Sequence, residues 1–137
     1  MKAYLTKRYR FPASHRLHCD ELGEAENQAI YGKCNHQHGH GHNYVLEVTL
    51  GGHVNERTGM VCDLGELDSF VQREILEHFD HANLNELDAF RSKVPTTENL
   101  CLEIDRILRA GFRSAAIEKV RIEETRKNSF ECGNVRP

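Results

Sequence analysis

Residues 40–50 alternate, and the alternation opens on two histidines. His40 and His42 share parity with Tyr44, Leu46, Val48 and Leu50, whereas Asn43, Val45, Glu47 and Thr49 take the other parity. Successive side chains on a strand point to opposite faces, so a half-buried strand is predicted with both imidazoles at the end of its more apolar face. Polar rings on that face need partners. The stretch His36-Gln37-His38-Gly39-His40-Gly41-His42 holds four of the nine histidines of the chain. Histidine is the commonest metal ligand, and clustering of this kind points to a metal. Gly39 and Gly41 flank His40 without side chains, so the backbone can come close to an ion. From spacing alone the ligand pair is either His38/His40 or His40/His42.

The rest of the chain supplies a frame for this strand. Residues 2–11 read as another strand, with Leu5, Tyr9 and Phe11 on one face and Thr6, Arg8 and Arg10 on the other. His15 follows just past its end and joins the pair if the first two strands are neighbours. Three neutral imidazoles leave a fourth tetrahedral position of zinc open, which is the arrangement of catalytic zinc sites. Residues 16–39 form a long connection without clear periodicity, and a segment of that kind in a small domain is usually functional. Asp63 and Glu66 mark the start of a helix over 64–79, with Leu64, Leu67, Phe70, Val71, Ile75 and Phe79 as its apolar stripe. A second helix is predicted over about 98–110, capped by Thr97 and closed by Gly111. Residues 117–124, a turn at 126–128 and a return at 129–132 read as a terminal hairpin. The order β-β-α-α-β-β predicts an antiparallel sheet with both helices on one face, an α+β domain spanning 1–137.

Charge and composition narrow the function. A formal net charge of −3 gives no electrostatic reason to expect nucleic acid as a partner. No apolar run approaches the roughly 18 residues needed to cross a membrane. Residues 1–10 lack the apolar core of a signal peptide. The five cysteines are odd in number and lack paired spacing, so they read as thiols of a cytoplasmic protein.

Three further features carry possible chemistry. Cys34 lies close in sequence to the histidines, and a nearby zinc ion or imidazolium would lower its pKa into a usable range; alone, a free cysteine is a small hydrophobe. Asp80-His81 follows the first long helix. The pair reads either as a relay that sets an imidazole's tautomer or as a favourable histidine at a helix C-terminus. Glu124 shares parity with Val120 and Ile122, so its carboxylate faces the apolar side, where a guanidine-like ligand edge would satisfy it; a strand-end glutamate facing water is the plain alternative.

Read together, seven segments resemble the 6-pyruvoyl-tetrahydropterin synthase family, which includes the 6-carboxy-tetrahydropterin synthases. They are Phe11-Pro-Ala-Ser-His-Arg-Leu17, Tyr31-Gly-Lys-Cys-Asn35, Gly39-His-Gly-His-Asn-Tyr44, Thr58-Gly-Met-Val61, Asp80-His-Ala-Asn-Leu84, Pro95-Thr-Thr-Glu-Asn99 and Val120-Arg-Ile-Glu-Glu-Thr125. The resemblance implies the tunnelling fold, active sites between subunits and a hexamer of two trimers. It implies His15, His40 and His42 as zinc ligands, Cys34 as the catalytic thiol and Asp80 with His81 as its relay. Glu124 becomes the anchor of the pterin amino-pyrimidine edge, and Thr96, Thr97 and Glu98 a segment of the pterin pocket. The implied substrate is 7,8-dihydroneopterin triphosphate and the implied partners are further copies of the chain. Five residues separate Cys34 from His40, the biopterin-type spacing, although Cys34 to His38 also satisfies the shorter queuosine-type pattern. The chain departs from the family pattern at Pro12, where serine is usual, at Phe79, which replaces a leucine, at the extra His36 and His38, and at Gly133-Asn134, where a glutamate is common.

Overall fold

The computed structural model describes residues 1–133, so the expectation for Asn134 and the last residues of the proposed domain lie outside it. Strands β1 (Lys2–His15) and β2 (His40–His53) form the centre of the molecule. They pair antiparallel along their whole length, from Lys2 opposite His53 to His15 opposite His40. Strand β4 (Ala116–Thr125) pairs with β2, and β5 (Asn128–Gly133) pairs with β4. A two-residue strand β3 (Ala82–Asn83) runs parallel to β1 at Ala13 and Ser14, giving the order β3-β1-β2-β4-β5. The sheet is therefore mixed at one edge, a correction to the purely antiparallel expectation.

Helix α1 (Glu24–Tyr31) lies within the connection that lacks periodicity in the sequence. It is legible only in three dimensions because its single buried residue is a polar one, Asn27. The Asn27 side chain accepts from the Cys19 amide and donates to the carbonyls of Cys19, Leu22 and Gly23, so it folds the preceding loop onto the helix. A 3₁₀ turn, Gly32–Asn35, then carries Cys34. The first long helix is α2 (Leu64–Val71), a π-helical stretch Gln72–Leu76 and α3 (Glu77–Phe79) in continuous succession. Asp63 caps it as expected, accepting from Gly65 N, but Glu66 does not complete the box: it accepts from the Ser114 hydroxyl instead. Helix α4 (Thr97–Gly111) starts one residue earlier than expected and its N-cap is Thr96, whose hydroxyl oxygen accepts from Asn99 N. Thr97 is thereby released from capping.

One core cluster joins the inward faces of the sheet to the helices. Phe11, Tyr44, Leu46, Val48, Leu50, Val120 and Ile122 meet Leu67, Val71, Ile75, Leu100, Ile104 and Leu108. Polar face and apolar face alternate along β1 from Lys2 onward, as period two requires. The inward row of β1 and β2 ends in His15, His40 and His42 rather than in apolar residues. Among the described residues, no helix is long and apolar enough to cross a membrane.

Candidate metal centre

The register of β1 against β2 builds the site. His15 is the last residue of β1, not a residue beyond it, and stands directly opposite His40; Ala13 stands opposite His42. The three rings are packed edge to face, with centroids 4.8 Å apart for His15–His40, 5.0 Å for His15–His42 and 4.6 Å for His40–His42. Gly39 is needed at the start of β2. Its φ is +73°, and a Cβ there would stand 2.9 Å from the His15 carbonyl oxygen. Any side chain would push β2 off the residue that anchors the cluster.

His15 is almost fully buried, at 1% exposure. Its Nδ1 lies 2.8 Å from the Pro95 carbonyl oxygen, which can only accept, so Nδ1 carries the proton and Nε2 the lone pair. A histidine oriented through its other nitrogen in this way is a typical metal ligand. The buried Tyr44 hydroxyl lies 3.3 Å from the same Nδ1. Burial holds the pKa of both His15 and His42 below the usual 6.5, despite the opposing pull of the Glu124 carboxylate. Both are thus kept neutral, the form that binds metals.

Among the described residues, three buried side-chain nitrogens have no hydrogen-bond partner: His15 Nε2, His40 Nδ1 and His42 Nε2. Unpaired buried polar atoms are rare and costly, and the three that occur here sit on mutually adjacent rings. His15 belongs to two overlapping groups whose donor atoms all lie within 4.8 Å of one another: His15, Cys34 and His40 on one side, His15, His42 and Glu124 on the other. An imidazole set with a thiol and a carboxylate at its margin suits a borderline-soft divalent ion. His36 and His38 are exposed and face each other, with ring centroids 6.0 Å apart, so His38 stands outside the cluster.

Glu124 reaches the site from β4. Its Oε1 lies 3.2 Å from His42 Nε2 without the alignment of a hydrogen bond, and its Oε2 accepts a very short bond from the Thr97 hydroxyl. The expected inward-facing carboxylate is therefore present, at 12% side-chain exposure, and is held from one side. Thr96 and Glu98 do other things: Thr96 caps α4, and Glu98 is exposed in its first turn.

Cys34 is half-buried, and burial followed by the Glu124 charge pushes its thiol pKa up. Its backbone is strapped to the exit of β1. Leu17 N donates to Cys34 O at 2.7 Å, Asn35 Nδ2 donates to Leu17 O at 2.7 Å, and Arg16 Nε donates to Asn35 O at 3.2 Å. Sequence reasoning found the thiol but not the strap, since a lone asparagine carries no periodic signal.

Asp80 and His81 lie at the sheet edge, where His81 lines a cleft together with His42. Asp80 and His81 pair with each other at 3.0 Å, with 45% and 79% side-chain exposure, and His81 N donates to Pro12 O. Among the described residues, neither side chain has a hydrogen bond, ion pair or ring contact to Cys34 or to the three histidines. His81 is also the one non-glycine residue with positive φ, at +58°, among those described. A left-handed conformation at a non-glycine residue costs some backbone energy, and such positions cluster at functional sites.

The sequence and the fold are both similar to those of known proteins. The family model described as 6-pyruvoyl tetrahydropterin synthase matches residues 4–134. A 6-pyruvoyl tetrahydrobiopterin synthase of Drosophila melanogaster is 43% identical over 92% of this chain and 76% of its own length. The solved 6-pyruvoyl tetrahydropterin synthase of Caenorhabditis elegans superposes with a TM-score of 0.91 at 36% identity, covering 98% of this chain and 97% of that one. A putative 6-carboxy-5,6,7,8-tetrahydropterin synthase of Archaeoglobus fulgidus is 39% identical over only 62% of this chain, so the likeness is greater to the biopterin type. With its seven motifs in order on one matching fold, the chain belongs to the 6-pyruvoyl tetrahydropterin synthase family.

Proposed function

We propose that the chain converts 7,8-dihydroneopterin triphosphate to 6-pyruvoyl-tetrahydropterin and triphosphate, as a zinc-dependent lyase. The observation that carries this reading is three orphaned imidazole nitrogens on adjacent rings, with Cys34 grouped with His15 and His40 and Glu124 grouped with His15 and His42. His15, His40 and His42 would hold the zinc ion. When bound, zinc supplies a Lewis acid that acidifies the C–H bonds beside the substrate's side-chain oxygens.

The chain's own residues do the rest. Glu124 accepts from the paired N–H donors of the amino-pyrimidine edge, and the Thr97 hydroxyl fixes the rotamer in which it does so. Cys34 takes a proton from one side-chain carbon and returns it to the next. Burial and Glu124 push its thiol pKa up, and positive charge in the site would offset that and favour the thiolate. Triphosphate leaves by elimination. The oxidation of one side-chain carbon is balanced by reduction elsewhere in the pterin, so no external redox cofactor is required.

The exposed Asp80-His81 pair belongs, in this reading, to the thiol of a neighbouring copy. Its exposure and its place beside a two-residue edge strand support that assignment. Sheet edges at β3 and β5 are the surfaces through which copies would join, into a cytoplasmic hexamer of two trimers. Product analysis tests the function. Purified zinc-loaded protein given dihydroneopterin triphosphate is expected to release triphosphate and the 6-pyruvoyl product; formation of the 6-carboxy product alone overturns the assignment, and pterin binding without turnover would make the chain a non-catalytic binder.

A further inference from the structure

Helix α4 and the edge strand β5 meet through two cysteines. Cys101 is fully buried on α4, and Cys132 is half-buried on β5. Their Sγ atoms are 3.6 Å apart. Backbone contacts hold both thiols in place. Cys132 stands opposite Val120 in the β4–β5 register, and the Cys101 thiol lies 3.4 Å from the Val120 carbonyl oxygen. The Cys132 thiol in turn lies 3.9 Å from the Cys101 carbonyl oxygen. Among the described residues, no other two thiols share a hydrogen bond.

The contact sits where a crosslink would matter. β5 ends the sheet and is paired on one side only, and elements held in this way are among those that open locally. A bond between residues 31 apart also removes entropy from the unfolded chain. Cys101 lies one helical turn after Thr97, whose hydroxyl bonds to Glu124 on β4. A tie at Cys101 therefore joins the helix that carries Thr97 to the strand beside the one that carries Glu124. Burial pushes both thiols up, so the reduced pair is a slow reactant and persists in a reducing compartment. Oxidation begins at Cys132, the more exposed of the two.

We propose that Cys101 and Cys132 are an oxidisable dithiol, which a hydroperoxide converts to an intrachain disulfide clipping β5 to α4. The peroxide gives one oxygen to the Cys132 sulfur, which becomes a sulfenic acid, and the rest of the peroxide departs as an alcohol or water. The Cys101 sulfur then attacks the Cys132 sulfur. The S–S bond forms, the S–O bond breaks, and the thiol proton leaves with the hydroxyl as water. Two thiols are oxidised and one peroxide O–O bond is reduced. Bonded sulfurs stand about 2.05 Å apart, so rotation of two short side chains has to close the remaining gap. The test uses full-length zinc-loaded protein treated with hydrogen peroxide, alkylated, digested and mapped by mass spectrometry. The expected product is a peptide pair joined through Cys101 and Cys132. The melting temperature is expected to rise by about 5 °C, and dithiothreitol reverses both changes. Cys132→Ser gives neither the joined pair nor the rise. Because loss of a sulfur also loosens packing, the rise is read in each protein against its own reduced form. Conversion of Cys132 to its sulfinic acid while Cys101 stays free to alkylate overturns the dithiol, as does linkage of either residue to Cys34 or to another copy. A joined pair with no gain in melting temperature overturns the clip.

Discussion

His42–Glu124 and His81–Asp80 are both imidazole–carboxylate pairs, at nearly equal separations of 3.2 and 3.0 Å. Their surroundings are opposite. The first pair has 14% and 12% side-chain exposure and lies beside buried nitrogens that lack partners. The second has 79% and 45% exposure at the edge of the sheet. Distance alone would equate them; environment separates them. In the buried pair, desolvation keeps the imidazole neutral and ready for a metal. The exposed pair contributes little to the stability of its own chain, and the positive φ at His81 costs on the order of 1 kcal/mol. A segment that is strained and weakly rewarded within one chain makes sense if its use lies against another copy.

Four experiments would break or sharpen that contrast. The largest expected effect is at the buried region. Cys34→Ala should lower turnover about a thousandfold with zinc retained, whereas His42→Ala should lose zinc, both read by steady-state assay and atomic absorption. Equal zinc loss in the two would make Cys34 a ligand and dissolve the distinction between metal and proton carrier.

The exposed pair comes next. His81→Ala should cost about a hundredfold in turnover and leave zinc content unchanged. If the pair serves a neighbour's thiol, mixed assemblies of Cys34→Ala and His81→Ala copies regain about a quarter of wild-type activity on random mixing. No recovery in verified mixed assemblies would return the pair to its own chain's site.

A smaller effect is expected from Thr97→Val, which removes the hydroxyl that holds Glu124. Pterin affinity should fall about tenfold with zinc affinity unchanged, as titration by fluorescence would report. Unaltered pterin affinity would mean that the carboxylate needs no such hold.

The smallest is a slope with pH. His15 and His42 have pKa values below 6.5 in the folded chain, so the unfolded chain binds their protons first as pH falls. Stability of the metal-free protein is therefore full above about pH 6.5 and declines below it, levelling once the folded histidines also titrate. Urea midpoints between pH 7.5 and 5 should show this decline, and His15→Gln should flatten part of it. A profile that rises on acidification would mean that these rings are charged in the folded chain.

Much of the frame was legible from periodicity. The alternation of residues 40–50 located β2 and put His40 and His42 on the inward face, because period two leaves no other choice. The stripes of 64–79 and 98–110 located the two long helices to within a residue or two. Helix α1 escaped detection because it buries an asparagine rather than an apolar stripe, so a pattern of hydrophobicity has nothing to register. The cap of α4 was misread by one position: two adjacent threonines are equivalent in sequence, and only the backbone distinguishes Thr96 as cap from Thr97 as the hold on Glu124.

The two ligand registers, His38/His40 and His40/His42, are equal by parity, and the sequence by itself narrowed them only through its resemblance to a family. What it did determine is local: which residues face inward, which donors are available and which segments can turn. The tertiary structure decided which of those donors meet. Pairing of His15 with His40 across the sheet, the Pro95 carbonyl that sets the His15 tautomer and the bond from His81 N to the Pro12 carbonyl all depend on residues distant in the chain. Side-chain periodicity follows from the backbone of one strand, whereas a metal site depends on register between strands, and register is a property of the folded whole.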